Sequence, residues 1–226
     1  MIKKVNVIDY GAGNLKSIVK SLAVLGLTPK IVNPLLSTTN HQLLDCDLLV
    51  LPGVGEFGSS LKVLNIVKDK IVQHIVSGKP LLGICLGIQL LFDKSEESPG
   101  TKGLGLIAGE VVKFKYYKKF SLPVPHMCWN KVRFIEVETD KVKSGKIDKR
   151  AILLQNLDEE EFFYFVHSYY PVPEKKDVVF GTTVYGKKFC SMIVKDNIVA
   201  TQFHLEKSGE RGLLLLKNIV RYFDRL

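Results

Sequence analysis

The sequence predicts an α/β protein: a doubly wound, mainly parallel sheet with an additional antiparallel strand layer. Two textures and one sharp corner carry that expectation. Residues 4 to 85 alternate short continuous apolar runs with helix-periodic segments, the pattern of a parallel sheet covered on both faces. From about residue 109 strand-like runs follow one another, separated by Gly, Pro, Asp and Lys. Between them, "PLLGIC" (80–85) runs into "LGIQLLF" (86–92) at a cysteine held between two glycines.

Taken in order, "KVNVID" (4–9) is a buried strand, and "NLKSIVKSLAVLG" (14–26) is an amphipathic helix with Leu15, Ile18, Leu22 and Leu25 on one side. "PKIVN" (29–33) and "DLLVLP" (47–52) are the next strands, "LKVLNIVKDKIVQHIVSG" (61–78) one helix, and "PLLGIC" a further strand. In the second texture, "GEVVKF", "NKVRFIEVE", "AILLQNL", "EFFYFVHSYY", "VVFGTTVYG", "KFCSMIVKDN" and "IVATQFH" are each expected to be strands. "VKDNIVA" predicts a hairpin turn, and "SGERGLLLLKNIVRYF" (208–223) a final helix with Ser208 at its N-cap.

A chain of 226 residues can hide about 70% of its unfolded surface, and residues 1–226 are expected to form one domain. Apolar residues at 46% and charged residues at 24% exclude a disordered or fibrous protein. Asn6 and Asp9 interrupt the N-terminal apolar stretch too soon for a signal peptide, and no later run would span a bilayer; the expected location is cytoplasmic, with no membrane partner. The net charge is +9, with basic clusters at 113–119 and 141–150. These fall between strand-like runs and lack a nucleic-acid motif, so they are read as solvated loops or a partner-facing rim, with no nucleic-acid partner. Cys46, Cys85, Cys128 and Cys190 have no CxxC spacing, which gives neither zinc nor a disulfide framework support. His41 and His74 are read as surface or packing residues, and His126 and His167 as structural or interface residues.

Cys85 stands where a buried strand gives way to a helix, in a G-x-C-x-G setting that matches a nucleophile elbow. There the helix N-terminus lowers a thiol's pKa, and the Leu86 N–H can serve an oxyanion. A buried thiol in a tight corner fits the same five residues equally well. A base and an orienter are available in "TQFHLEKSG" (201–209): if that stretch is extended, His204 and Glu206 share a face. A surface His-x-Glu pair is the plain alternative. "LPGVGEFG" (51–58) follows a strand and is rich in glycines that let backbone N–H groups turn to a ligand; each oxyanion donor is worth roughly 3 to 4 kcal/mol. It reads equally as an ordinary turn.

Together, "IDYGAGNLKS" (8–17), "LPGVGEFG", "GICLGIQLLF" (83–92), "EESPGTKGLGLI" (96–107), "PHMCWNKV" (125–132), "YFVHSYY" (164–170) and "QFHLEKS" (202–208) resemble the class I glutamine amidotransferase family. Within it the chain is more similar to the glutaminase subunits of imidazole glycerol phosphate synthases. The resemblance implies a flavodoxin-like amidotransferase fold and a Cys85–His204–Glu206 triad that hydrolyses L-glutamine. It further implies an oxyanion region at Val54, Gly55 and Leu86, and a glutamine site at Gly55, Gln89, Glu97, Ser168 and Tyr169. No cofactor and no metal are expected. Ammonia would pass to a (β/α)8-barrel cyclase subunit in a heterodimer, with Lys207 at the interface.

Two positions depart from the family pattern: Leu205 stands where proline is usual, and Cys128 where glycine is usual. Losing proline frees the backbone between base and orienter, and a Cβ at 128 is expected to crowd a tight turn. Three other readings stay open: an ammonia-supplying paralogue for a sugar-modifying amidotransferase, a non-catalytic binding subunit, and a cysteine hydrolase on the same fold.

Overall fold

The computed structural model describes residues 1–11, 13–36, 42–115, 122–135 and 149–226. His41, most of the two basic clusters and the end of "NKVRFIEVE" lie outside the described residues. Five strands form the parallel half of a sheet: β1 (Lys4–Ile8), β2 (Thr28–Val32), β3 (Leu48–Leu51), β4 (Leu81–Ile84) and β12 (Ile198–Thr201). Four more continue it antiparallel: β7 (His126–Phe134), β8 (Glu160–His167), β10 (Val179–Tyr185) and β11 (Lys187–Lys195). The nine run in the order β2-β1-β3-β4-β12-β11-β10-β7-β8. The remaining strands, β5 (Lys94–Ser95), β6 (Gly109–Lys113) and β9 (Tyr169–Pro173), make a separate three-stranded sheet. The antiparallel texture is therefore divided: most of it extends the main sheet, and a small part forms its own layer.

Every residue of β3 and β4 is buried, which is why both read as unbroken apolar runs. Alternate residues serve opposite cores. Val7, Val50 and Ile84 face helices α1 (Leu15–Val24) and α5 (Gly209–Phe223), through Ile18, Leu22, Leu216 and Ile219. Leu49, Leu51 and Leu81 face α2 (Phe57–Leu64) and α3 (Lys68–Val76), through Phe57, Leu61, Leu64 and Ile71. The sheet is thus covered on both sides, as a doubly wound fold requires. No helix among the described residues is long and apolar enough to cross a membrane.

Four local expectations need correction. The helix expected over 61–78 is two, α2 and α3, joined by a 3₁₀ turn at Asn65–Val67. Leu61, Leu64 and Val67 are all buried at a spacing of three, and the tighter turn keeps them on one face. "AILLQNL" is not a strand: Lys149–Leu154 is 3₁₀-helical and lies under α5, where Asn218 Nδ2 donates to Leu153 O at 3.2 Å and Gln155 O at 2.8 Å. A helix side chain has taken carbonyls that a neighbouring strand would otherwise use. "EFFYFVHSYY" is divided at Ser168 into β8 in the large sheet and β9 in the small one. Ser208 occupies the N-cap position of α5 but does not cap it, because its hydroxyl donates to His204 O and accepts from Tyr164 N–H.

Cys128 sits inside β7, paired with Phe165, so the Cβ there meets extended backbone rather than the tight turn expected. Leu205 is buried in the core and opens a 3₁₀ turn, Leu205–Lys207. Two other histidines lie where β7 and β8 meet. His167 Nδ1 is 2.8 Å from Tyr169 O, a group that only accepts, so this nitrogen carries hydrogen. With Nε2 of neutral His167 left to accept, His126 Nδ1 donates to it at 3.0 Å, and Asn130 Nδ2 donates to His126 Nε2 at 3.1 Å. Burial pushes His126 down to about 4 and His167 down to about 3, the latter also repelled by His126. His74, with Nε2 against Pro80 O, is pushed down to about 4 by burial.

These histidines make stability pH-dependent with a definite sign. Below about 6.5 the unfolded chain takes up protons that the folded one refuses until about 4 or 3, so stability is full above about 6.5 and falls as pH drops through that window. Urea midpoints measured from pH 7 to 4 should decline, and His126→Gln should flatten the decline; an unchanged slope in the variant would contradict the neutral pair. A second test addresses packing. A Cβ on Gly87 would run into Leu51 O, and the contact is with backbone that cannot step aside. Gly87→Ala should cost about 3 kcal/mol or more by urea denaturation, and a loss below ~0.5 kcal/mol, the scale of a neutral surface change, would show that the approach is looser.

Candidate active site

Cys85 is the corner between β4 and the short helix α4 (Leu86–Leu90), with φ 50° and ψ −99°. A non-glycine residue at positive φ is held there only by its surroundings, and such strain gathers at functional sites. The corner is fixed by Cys85 N–H donating to Thr201 O at 2.7 Å, and by Gly83 and Gly87, whose absent side chains let the strand and the helix turn approach. The helix has five residues. It offers local N–H groups rather than the sustained dipole that the longer apolar run suggested.

β12 runs beside β4 and delivers the other half of the site. His204 N–H donates to Tyr164 O at 2.9 Å, which ties the residue to β8. Its ring is fully buried, and Nδ1 donates to Glu206 Oε1 at 2.8 Å. The pair meets for a different reason from the one expected. His204 is extended, but Leu205–Lys207 is a 3₁₀ turn, so curvature rather than strand alternation brings the carboxylate back to the imidazole. Nε2 is buried without a hydrogen-bond partner, and Cys85 is an electrostatic neighbour of the ring. Burial disfavours charge on His204, but the neighbouring Cys85 sulfur and the Glu206 carboxylate outweigh burial and raise the imidazole to about 10.

Cys85, Leu86, Gln89, Val54, Gly55, Glu97, Ser168 and Tyr169 line one cavity of about 310 Å³, together with His167. All the residues named for a glutamine site are therefore brought together. Gln89 donates through Nε2 to Tyr169 O at 2.9 Å, which anchors its nitrogen and leaves its oxygen for a ligand. Glu97 Oε2 accepts the Phe57 N–H at 2.8 Å; burial raises its pKa, the Phe57 bond opposes this, and Glu56 adds to it. Lys207 is exposed, with Nζ 5.8 Å from the centre of the Tyr164 ring. The other cysteines lie outside the cavity. Burial pushes Cys46 to about 11 and Cys190 to about 12, and raises Cys128 as well.

The oxyanion donors are not assembled in this conformation. Leu86 N–H donates to Gly53 O at 3.3 Å, so a carbonyl occupies the place of an incoming oxygen. The next peptide is held too, since Gly13 N–H donates to Val54 O at 3.0 Å. Gly53 packs so closely that a Cβ there would stand 3.0 Å from His204 Cε1 and 3.2 Å from Cys85 Cβ.

Two polar partners were not singled out from the sequence. Asn14, at φ 66°, accepts from Ser17 Oγ at 2.6 Å and donates through Nδ2 to Glu206 Oε1 at 3.1 Å. Gln202, fully buried, donates through Nε2 to Cys85 Sγ at 3.6 Å. Both lie inside the motifs quoted above, and membership of those motifs was the available signal.

The comparisons agree with one another. Residues 6–221 match the family model described as Glutamine amidotransferase class-I. The chain is 44% identical over 216 residues to the imidazole glycerol phosphate synthase subunit HisH of Methanocaldococcus jannaschii, covering 96% of this chain and 98% of that one. It is also 44% identical over 223 residues to the HisH subunit of Aquifex aeolicus, covering 97% of each. Among solved structures, PurLQS from Thermotoga maritima superposes with TM-score 0.67 at 18% identity, covering 98% of this chain and 99% of that one. A glutamine amidotransferase from Thermotoga maritima gives TM-score 0.61 at 17% identity, with 100% and 84% covered; both structural likenesses speak to the fold. With the family model spanning nearly the whole chain and close relatives matched end to end, the chain belongs to the class I glutamine amidotransferases.

Proposed function

We propose that this chain is the glutaminase subunit of an imidazole glycerol phosphate synthase, acting as one domain over residues 1–226 in the cytoplasm. One observation carries the chemistry: a fully buried His204, held by Glu206 at 2.8 Å, stands against a strained Cys85 at the floor of a glutamine-sized cavity. Cys85 attacks the side-chain amide carbon of L-glutamine. Its proton passes to His204, which returns one to the departing ammonia, while Glu206 keeps Nδ1 hydrogen-bonded and the ring oriented. Water then cleaves the glutamyl thioester to glutamate and restores the thiol. Gln89, Glu97, Ser168, Tyr169 and Gly55 hold the substrate.

Leu86, Val54 and Gly55 serve as oxyanion donors only after the Gly53 carbonyl leaves the Leu86 N–H. That supports a resting state in which the hole is closed and a partner opens it. A barrel-shaped cyclase subunit fits the outer face of β7 and β8, where Met127, Trp129 and Phe162 are exposed and Trp129 lies 6.2 Å from the Tyr164 ring. Lys131 and Lys207 border this patch, over Phe162 and Tyr164. Tyr164 is also the residue whose carbonyl holds the His204 backbone, so patch and site share a strand. The relatives named as imidazole glycerol phosphate synthase subunits favour this partner over a sugar-modifying one.

Glutamate release from L-glutamine should be slow for the chain alone and strongly stimulated by the cyclase subunit with its nucleotide ligand. Cys85→Ala should abolish it in both states. Equal rates with and without that subunit would contradict the closed hole, and stimulation by a sugar-modifying synthase instead would reassign the pathway. The closed state is open to a direct test. A Cβ on Gly13 would come within 2.8 Å of Val54 Cγ2 and strain the bond to Val54 O. Gly13→Ala should therefore raise partner-free glutaminase activity several-fold, about 1 kcal/mol of the hydrogen bond's worth, and a lower rate would show that this contact supports the hole.

A further inference from the structure

Gln202 has no place in the triad or in the glutamine cavity, yet its side chain is fully buried against the reacting sulfur. Its backbone N–H is independently satisfied by Ser191 O at 2.8 Å. The orientation of its carboxamide follows from a carbonyl two links away. Tyr169 O can only accept, and it accepts from His167 Nδ1 and from Gln89 at 2.9 Å, so Gln89 presents nitrogen there. That same nitrogen lies 3.1 Å from the Gln202 carboxamide, which must therefore answer with its oxygen. The Gln202 Nε2 is left facing Cys85 Sγ at 3.6 Å, an ordinary length for an N–H donor on sulfur. Sγ also lies 3.8 Å from Val166 O, which accepts from the neutral thiol. A thiolate has nothing to give Val166 O, and the donor it gains is Gln202.

We propose that Gln202 is a further catalytic residue, whose carboxamide holds a fixed N–H donor on the Cys85 sulfur and stabilises the negative charge there twice in each turnover. The first time is when Cys85 has given its proton to His204 and the charge rests on sulfur; the S–C bond to the amide carbon then forms, and the C–N bond breaks with His204 returning the proton to the departing ammonia. The second is when His204 takes a proton from water, the C–O bond forms, the C–S bond of the thioester breaks and the electron pair returns to sulfur, which then regains that proton. A hydrogen bond to an ion is stronger than one to its neutral form, so the donor favours both charged states over the thiol and the thioester. Because Gln89 and Tyr169 O fix the amide, no reorganisation is needed as charge appears. The second role rests on the glutaminase reading; the first concerns only the sulfur.

The test is the pH dependence of Cys85 alkylation by iodoacetamide, followed by peptide mass, in the full chain and in Gln202→Leu and Gln202→Glu. The leucine variant should alkylate about tenfold more slowly at pH 7, with its midpoint shifted upward, the scale of one charge-assisted bond. The glutamate variant keeps the shape but sets an acceptor against the sulfur, and should shift the midpoint further. With the partner present, kcat for glutamate release should fall while KM changes little, because Gln202 does not line the cavity. Urea denaturation and circular dichroism select variants that remain folded. Wild-type midpoints in both folded variants, with glutamate release intact, would overturn the role of Gln202 and leave the glutaminase reading standing. Shifted midpoints in a protein that releases no glutamate with any partner would support the donor and overturn the glutaminase reading.

Discussion

Leu51 O occupies the space that any side chain at residue 87 would need, so the corner carrying Cys85 closes only over a glycine. The rest of the site is built from that approach. With Gly83 and Gly87 letting β4 turn sharply into α4, Cys85 is held at positive φ and its sulfur is lifted to the end of the sheet. Only there can β12, the next strand across, bring His204 against it. Gly53 continues the same logic from β3, lying so close to both residues that a Cβ there would push them by a few tenths of an ångström.

A second constraint is the carbonyl of Tyr169. It follows Ser168, where the chain leaves the large sheet for the small one, and so it is free of ladder bonds to β7. It receives His167 and Gln89 instead. Because a carbonyl has one chemical role, it dictates the hydrogen positions of each group that meets it. The effect runs outward through His126 to Asn130 and inward through Gln202 to Cys85. Two cores and a cavity are thereby joined by polar contacts whose direction is not free to reverse.

Much of the architecture was legible in the sequence because it is a local signal. β3 and β4 are buried on both faces and read as unbroken apolar runs; G-x-C-x-G marked the corner; His204 and Glu206 were found by spacing. The failures share a cause, which is that the decisive partner is distant in sequence. "AILLQNL" has the composition of a strand and is recruited by Asn218 of α5. The long helix breaks because a spacing of three at Leu61, Leu64 and Val67 suits a tighter turn. His204 and Glu206 were paired for the wrong geometric reason, since a turn replaces the extended segment. Asn14 and Gln202 went unremarked because their significance lies in contacts across 192 and 117 residues, which no local pattern encodes. Family resemblance supplied the cavity residues, whereas the engaged Leu86 N–H is a property of conformation and has no trace in composition.

β8 serves two masters through its pleat. Phe163, Phe165 and His167 turn inward to the core and cavity, while Phe162 and Tyr164 turn outward to the exposed aromatic patch. Successive side chains of a strand always point to opposite faces, so a single-residue insertion or deletion within the strand would exchange the two sets beyond it. The patch would be buried and the cavity wall would face water. Length changes in this segment are thus forbidden by geometry even though its loops can vary, and the spacing between Glu160 and Ser168 is as strictly set as any side chain within it.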